Sequence, residues 1–207
     1  MIYEELLELK RYRRESRGFE GKDLNPRMFD FQHDIVKWSL RKGSSAIFAD
    51  TGLGKTIMQL SWSEKVHEHT NKPVLILAPL AVAKQTENDG MKKYGIKVKY
   101  VSSQGEVVNG VNITNYDKLH KFDTTAFSGI ALDESSILKS FTGKTTNYLI
   151  EAFEATPFKL CCTATPSPND YTELGTTAEF LGVMRRSEML AEFFINDITS
   201  GTGWRLK

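Results

Sequence analysis

The sequence is poor in cysteine, and its two cysteines are adjacent, at Cys161 and Cys162. This usage predicts neither a disulfide framework nor the spaced ligands of a metal site, and it suits a reducing compartment. We expect both side chains to lie in a strand as small apolar groups.

Long apolar runs and an excess of charge of one sign are also missing. No run approaches the about 20 residues that cross a bilayer, and the start of the chain, MIYEELLELKRYRRESR, lacks the apolar core of a signal peptide. We therefore expect a cytoplasmic protein with no membrane partner. Because the formal net charge is +1, any surface for nucleic acid would have to be a local patch.

The sequence does contain a regular alternation of strand and helix patterns over its 207 residues. Apolar runs bounded by turn residues predict strands, and helical spacing, as of Phe31, Ile35 and Trp38, predicts helices. The predicted strands lie at 45–49, 73–78, 97–102, 110–114, 158–164 and in the apolar half of GIALDES (129–135). The predicted helices are an opening charged helix, then 28–42, 55–69, 81–94, a short one after 114, 144–155, 170–182 and 187–197. This order predicts an α/β fold with a mostly parallel sheet and helices on both faces.

The segment DTGLGKT, residues 50–56, follows a predicted strand and opens a predicted helix. Its glycines would let backbone amides approach a phosphate, Lys55 would supply a positive charge, and Thr56 could hold Mg²⁺. Ala49 stands at the first glycine position of the usual pattern. The simpler alternative is a glycine turn beside a solvated lysine.

Two acids, Asp133 and Glu134, end another predicted strand in the segment ALDES. A carboxylate at a strand end can organise Mg²⁺, and the adjacent acid can orient or deprotonate an attacking water. Acidic pairs at strand ends are often only caps. Together with the glycine loop, however, they favour a nucleoside triphosphatase.

Several motifs in order resemble the first RecA-like lobe of a superfamily 2 helicase or translocase, closest to the Swi/Snf remodeller branch and compact in the manner of phage proteins. The resembling segments are FDFQHDIVKWSL, DTGLGKT, VLILAPLAVAKQ, ITNYD, LDESSILKS and CTATPSPNDYTELG. The resemblance covers residues 26–182 and implies a three-layer RecA-like P-loop NTPase domain. It also implies the cytoplasm of a phage-infected or bacterial host.

The resemblance implies ATP and Mg²⁺ as the ligands of this lobe. It assigns Gln32 to the adenine, where a surface glutamine is the simpler alternative. The phosphate-binding residues would be Thr51, Gly52, Leu53, Gly54, Lys55 and Thr56, the metal-holding residues Thr56 and Asp133, and the catalytic residues Lys55, Asp133 and Glu134. Thr163, Ala164 and Thr165 would couple the nucleotide site to the nucleic-acid track, although such threonines are commonly local backbone caps.

The same resemblance implies a nucleic-acid partner, most simply double-stranded DNA. It nominates contacts from the segments after the second and fourth strands and from the region after the acidic pair: Pro79, Leu80, Lys84, Thr114, Asn115 and Lys139. A single exposed lysine is usually only solvated. The basic stretch KRYRR at 10–14 is surrounded by glutamates, so a solvated helix with internal ion pairs is the better interpretation.

Some features depart from the family. DESS places Ser136 where a histidine is commoner, and TATP has alanine where the remodellers have glycine. Nothing after residue 182 resembles the second RecA-like lobe with its arginine finger, so we expect a fragment that hydrolyses ATP poorly by itself. The predicted organisation is a charged helical extension (1–25), the ATP-binding lobe (26–183) and a helical segment (184–207).

Two functions stay open at this point. One is a motor lobe of an ATP-dependent DNA helicase or translocase. The other is a nucleotide-gated module that binds DNA or protein with marginal hydrolysis. An unrelated P-loop kinase or GTPase would need a lid or a guanine-specificity motif, and the sequence shows neither.

Overall fold

The computed structural model describes residues 16–139, 143–197, 201 and 203–207. Six strands form the central sheet: Ser44–Phe48 (β1), Val74–Ala78 (β2), Val98–Tyr100 (β3), Val111–Asn115 (β4), Gly129–Asp133 (β5) and Phe158–Thr163 (β6). All neighbouring strands are parallel, in the order β1-β6-β5-β2-β4-β3. The α-helices are Asp30–Lys42 (α1), Lys55–Thr70 (α2), Leu80–Asp89 (α3), Lys144–Ala152 (α4), Leu174–Phe180 (α5) and Arg186–Phe193 (α6). The predicted α/β class is confirmed.

Strand β2 shows why helices must cover both faces of the sheet. All of its residues are apolar and buried. Leu75 and Leu77 pack in a core cluster that includes Phe180, whereas Ile76 packs in a second cluster that includes Trp62. Successive residues of a strand point to opposite faces, so a continuous apolar run requires a core on each side. The predicted three-layer arrangement follows.

Helix α1 buries a different face from the one that its large apolar residues suggest. Phe31 is 45% exposed and Trp38 43% exposed. The buried residues of this helix are Gln32, Val36, Ser39 and Leu40. The sequence predicts the buried face of the helix from its bulkiest side chains. The face that is buried instead combines smaller residues with a glutamine whose amide has partners inside the protein.

Both ends of the described chain differ from the prediction. The sequence predicts a charged helical extension over residues 1–25, but residues 16–25 are not helical, and the ring of Phe19 stacks on His69 with the ring centroids 3.9 Å apart. Residues 1–15, including the basic stretch, lie outside the described residues. Helix α6 ends at Phe193 rather than at 197, and Phe194–Asn196 (β7) then pairs antiparallel with Trp204–Leu206 (β8).

The other elements lie close to their predicted positions. The predicted helix at 81–94 is α3 followed by a π-helical turn at Gly90–Tyr94, and the short helix after 114 is a 3-10 turn at Tyr116–Lys121. A further 3-10 turn, Ser135–Lys139, follows the acidic pair. In the part of the chain described, no helix has the length and apolarity to cross a bilayer.

Candidate functional site

The carboxyl ends of the parallel strands meet at one edge of the sheet, where α/β proteins bind ligands. Strand β6 lies between β1 and β5, so the glycine loop after β1 and the acids at the end of β5 flank it. Pro79 follows β2, which is the next neighbour of β5. The predicted site segments are therefore assembled at one edge, although they are far apart in the sequence.

The glycine loop between β1 and α2 depends on left-handed backbone at two positions. Gly52 has φ +87° and Gly54 has φ +79°, a region that residues with a Cβ avoid. A Cβ at Gly54 would overlap the side-chain nitrogen of Gln32, whereas the space beside Gly52 is open. The loop is therefore packed on one side and free on the other, as a phosphate cradle requires.

Lys55, the first residue of α2, folds back over the loop. Its Nζ donates to the carbonyl oxygens of Ala49 at 2.9 Å and Asp50 at 3.3 Å. The carboxylate of Asp50 in turn accepts from the backbone N–H of Thr51 at 2.7 Å. The lysine charge is thus held at the loop that would surround a phosphate, rather than in open solvent.

Gln32 is 3% exposed, so it is not the surface glutamine of the simpler alternative. Its Nε2 donates to the carbonyl oxygen of Leu53 at 2.9 Å, and its Oε1 accepts from the backbone N–H of Phe29 at 2.9 Å. The side chain therefore connects the start of α1 to the glycine loop. Its predicted contact with adenine stays a prediction.

The acidic pair at the end of β5 places two carboxylates in different surroundings. Asp133 is buried, and burial, together with the charge of Glu134, raises its pKa to about 6, while Lys55 opposes the shift. Glu134 is exposed and has φ +53°, which is uncommon for a residue other than glycine. In the sheet, Phe48 pairs with Thr163 and Asp133 with Cys162, so the start of the glycine loop and the acidic pair lie on either side of the end of β6.

The predicted coupling segment begins at the end of β6. The Oγ1 of Thr163 accepts from the backbone N–H of Thr165 at 3.0 Å, so the local cap considered as an alternative is present. The carbonyl oxygen of Thr163 also accepts from the N–H of Ala49 at 3.2 Å. Ala164 is half-buried and Thr165 exposed. The segment is thus bonded directly to the start of the glycine loop.

A cavity of about 360 Å³ adjoins the acidic pair. Four predicted nucleic-acid residues line it together with Glu134: Pro79, Leu80, Asn115 and Lys139. Lys84 is exposed on α3 but does not line the cavity. Thr114 is fully buried, so its side chain does not reach this surface, and a phosphate contact from it would need a rearrangement.

Two polar contacts, one in the segment after β4 and one in the segment after β6, were missed by reasoning from the sequence. The hydroxyl of Tyr116 donates to the carbonyl oxygen of Asp133 at 2.7 Å. The Nδ2 of Asn169 donates to the Oε1 of Glu173 at 2.7 Å. The sequence signal for the first contact was a tyrosine directly after a strand end. The signal for the second was an asparagine with a glutamate four residues later.

The residues of the glycine loop and of β5 fit a magnesium site whose remaining ligands come from a nucleotide and water, rather than a site made of protein ligands alone. In the residues that the structure covers, no cluster of three or more His, Cys, Asp or Glu could hold a metal ion. Mg²⁺ commonly keeps several waters and takes one or two protein ligands besides the phosphates of its nucleotide. The hydroxyl of Thr56 and the carboxylate of Asp133 are suitable donors of this kind.

Comparison with known proteins agrees with this arrangement. The model of the SNF2-related domain family matches residues 31–199. A protein called p41 from Acyrthosiphon pisum secondary endosymbiont phage 1 is 33% identical, over 73% of this chain and 38% of its own length. The chain thus spans less than half the length of this relative.

Solved structures share the fold at low sequence identity. The SWI2/SNF2 ATPase core of Sulfolobus solfataricus, in a complex with double-stranded DNA, is 19% identical with a TM-score of 0.67, over 84% of this chain and 40% of that one. The UvsW helicase of bacteriophage T4 is 16% identical with a TM-score of 0.61, over 87% of this chain and 66% of that one. The fold is that of a RecA-like helicase core, and since the family model matches most of the sequence, the chain belongs to the SNF2-related domain family.

Proposed function

We propose that this chain is the ATP-binding first motor lobe of a DNA helicase or translocase. The observation that carries the proposal is that the end of β6 joins the two segments. Ala49, whose carbonyl oxygen accepts from Lys55, donates its N–H to the carbonyl oxygen of Thr163. On the other side of β6, Asp133 is paired with Cys162. A cationic phosphate loop facing a buried carboxylate is the arrangement that nucleoside triphosphate hydrolysis needs. Membership of the SNF2-related family supports the motor assignment.

Each side chain of the site has a role in this proposal. The backbone amides around Gly52 and Gly54, with Lys55, bind the phosphates of ATP. Thr56 and Asp133 hold Mg²⁺, which when bound neutralises charge that develops on the phosphate oxygens. The exposed carboxylate of Glu134 orients the attacking water and accepts its proton.

DNA, in this proposal, lies along the cavity beside Glu134. Beside Pro79, exposed Leu80 offers a backbone N–H and exposed Lys139 an ammonium donor, and exposed Lys84 lies one helical turn after Leu80. The S. solfataricus core was solved with double-stranded DNA, which supports duplex DNA as the partner. The similarity of this chain to the phage protein p41 supports a phage-type branch.

A second RecA-like lobe completes the site in this proposal. The chain covers 40% of the S. solfataricus core and 38% of p41, so these proteins have length for further domains. An arginine finger contributes about 10³ to 10⁵ in rate. We therefore propose that this lobe binds Mg·ATP by itself but hydrolyses it slowly.

Calorimetric titration with Mg·ATP tests the nucleotide assignment. Lys55→Ala removes the main cation of the phosphate loop and should abolish measurable binding. Lys72→Ala is the matched control, because Lys72 is an exposed lysine that precedes β2 at the opposite edge of the sheet. Equal affinity of the wild type and Lys55→Ala would reject the assignment.

A further inference from the structure

Tyr116 stands where the cavity meets the acidic pair. It directly follows β4 and begins the 3-10 turn Tyr116–Lys121. Its ring packs against the core cluster that contains Leu75 and Leu77, and the residue also lines the cavity beside Pro79. Tyr116 is therefore held by the core on one side and is open to a ligand of the cavity on the other.

The hydroxyl of Tyr116 connects this position to the end of β5. It donates to the carbonyl oxygen of Asp133 at 2.7 Å. A tyrosine phenol is protonated at neutral pH, and burial, followed by the charge of Asp133, raises the pKa of Tyr116 further. The phenol therefore has a proton to donate to this backbone oxygen.

That hydrogen bond acts on the one peptide unit that joins Asp133 and Glu134. The N–H of this peptide, which belongs to Glu134, interacts with the carboxylate of Asp133. Its oxygen is held by Tyr116. Glu134 has φ +53°, a left-handed conformation that costs free energy in a residue with a Cβ and persists only where the surroundings hold it. Because this peptide joins the two Cα atoms, a change in its orientation changes the backbone angles that flank it, ψ of Asp133 and φ of Glu134.

The segment that carries Tyr116 is stiffened by polar contacts on its other side. The hydroxyl of Tyr100 donates to the Oδ1 of Asn115 at 3.3 Å, and Asn115 donates to the Oδ2 of Asp117 at 3.3 Å. Lys118 donates to the hydroxyl of Tyr100 at 3.0 Å. A ligand that displaces Asn115 or Asp117 would therefore move Tyr116 with them.

We propose that Tyr116 is a positioning residue that transmits occupation of the cavity by DNA to the Asp133–Glu134 peptide, and so to the Mg·ATP site. The inference rests on the proposed function. DNA bound beside Pro79 and Asn115 shifts the start of the 3-10 turn, the phenol moves the carbonyl of Asp133, and both carboxylates are reoriented. Coupling of this kind is reciprocal, so Mg·ATP changes the affinity for DNA by the same factor.

The first test compares the wild type with Tyr116→Phe, which removes one hydroxyl and keeps the ring. Tyr148→Phe is the matched control, since Tyr148 lies on α4 and is 44% exposed. The dissociation constant for Mg·ATP is measured by calorimetry with and without saturating duplex DNA. In the wild type and in Tyr148→Phe we expect DNA to change this constant at least about 5-fold, the lower range of measured coupling.

In Tyr116→Phe the ratio of the two constants should fall close to 1, while binding of each ligand by itself changes less than about 3-fold. A ratio that stays at the wild-type value would overturn the inference, as would a wild-type ratio of 1.

The second test needs no ligand, so it separates this inference from the proposed function. Amide hydrogen exchange at Glu134, measured by NMR, should be at least several-fold faster in Tyr116→Phe than in the wild type or Tyr148→Phe. Unchanged exchange would show that the phenol does not hold this peptide. A wild type that binds no Mg·ATP would contradict the proposed function, and the coupling with it, whereas the exchange result would still decide the positioning role.

Discussion

Asp133 and Glu134 are adjacent in the chain but differ in surroundings, and this difference separates their expected roles. Asp133 is 8% exposed and has its pKa raised to about 6. Glu134 is exposed beside the cavity. A carboxylate held at the strand end suits a metal ligand, whereas an exposed neighbour can reach a water.

Substitutions of the two acids should therefore impair different steps, Mg·ATP binding in one case and hydrolysis in the other. Glu134→Gln keeps the size of the side chain but removes the base, so Mg·ATP binding should survive while hydrolysis falls by about 10² or more. Asp133→Ala should weaken Mg²⁺-dependent binding as well as turnover. Calorimetry and single-turnover hydrolysis, in the presence of the second RecA-like lobe that we propose, separate the two effects. If Glu134→Gln hydrolyses ATP at the wild-type rate and Asp133→Ala binds Mg·ATP normally, the two acids only cap the end of the strand.

Gly54 offers a second prediction at the scale of one residue. Gly54→Ala places a Cβ in a left-handed conformation, at a cost of about 1–2 kcal/mol, and also against the side-chain nitrogen of Gln32. We expect a lower Tm and a loss of Mg·ATP affinity. Gly105→Ala is the control, because Gly105 has open space and no positive φ. Equal Tm values for the two variants would contradict the close packing of Gly54 on Gln32.

At the scale of elements, Gln32 joins α1 to the glycine loop across 21 residues of sequence. Gln32→Ala would leave the N–H of Phe29 and the carbonyl of Leu53 without this partner, at about 1–3 kcal/mol. Since about 1 kcal/mol corresponds to about 2–4 °C in a chain of this size, Tm should fall by several degrees. Differential scanning calorimetry measures it, with exposed Gln85 on α3 changed to Ala as the control.

If Gln32 also contacts adenine, the preference for ATP over GTP should disappear in Gln32→Ala. An unchanged preference would show that Gln32 does not recognise adenine.

The elements also show where reasoning from sequence succeeds. The run VLILA predicted β2 as a strand covered on both faces because apolar side chains without alternation cannot face water on either side. The same reasoning failed for α1, since Phe31 and Trp38 set the apparent face while the buried one contains Gln32. A glutamine is buried only where partners satisfy its amide, and its partner Leu53 belongs to another element.

At the scale of the whole molecule, the charges nearly cancel, with 27 Lys and Arg against 26 Asp and Glu. Binding of DNA by this chain should therefore be weak, independent of sequence and sensitive to salt, because each phosphate contact releases counterions. Fluorescence anisotropy at several salt concentrations should give a small negative slope of log K against log salt. Lys139→Ala should reduce its magnitude by about 1, and Lys72→Ala should leave it unchanged. Tight binding at high salt would contradict the proposed DNA contact.

The sequence by itself determined the alternation of strands and helices, the parallel sheet and the composition of the glycine loop. These features depend on local periodicity and on a left-handed backbone that few residue types other than glycine adopt. Tertiary structure alone decided which strand ends meet. Placing β6 between β1 and β5 brings Lys55 toward Asp133. The end of β4 likewise puts the hydroxyl of Tyr116 on the carbonyl of Asp133, 17 residues away. Strand order and hydrogen bonds between distant residues arise from packing of the whole chain, and no local pattern encodes them.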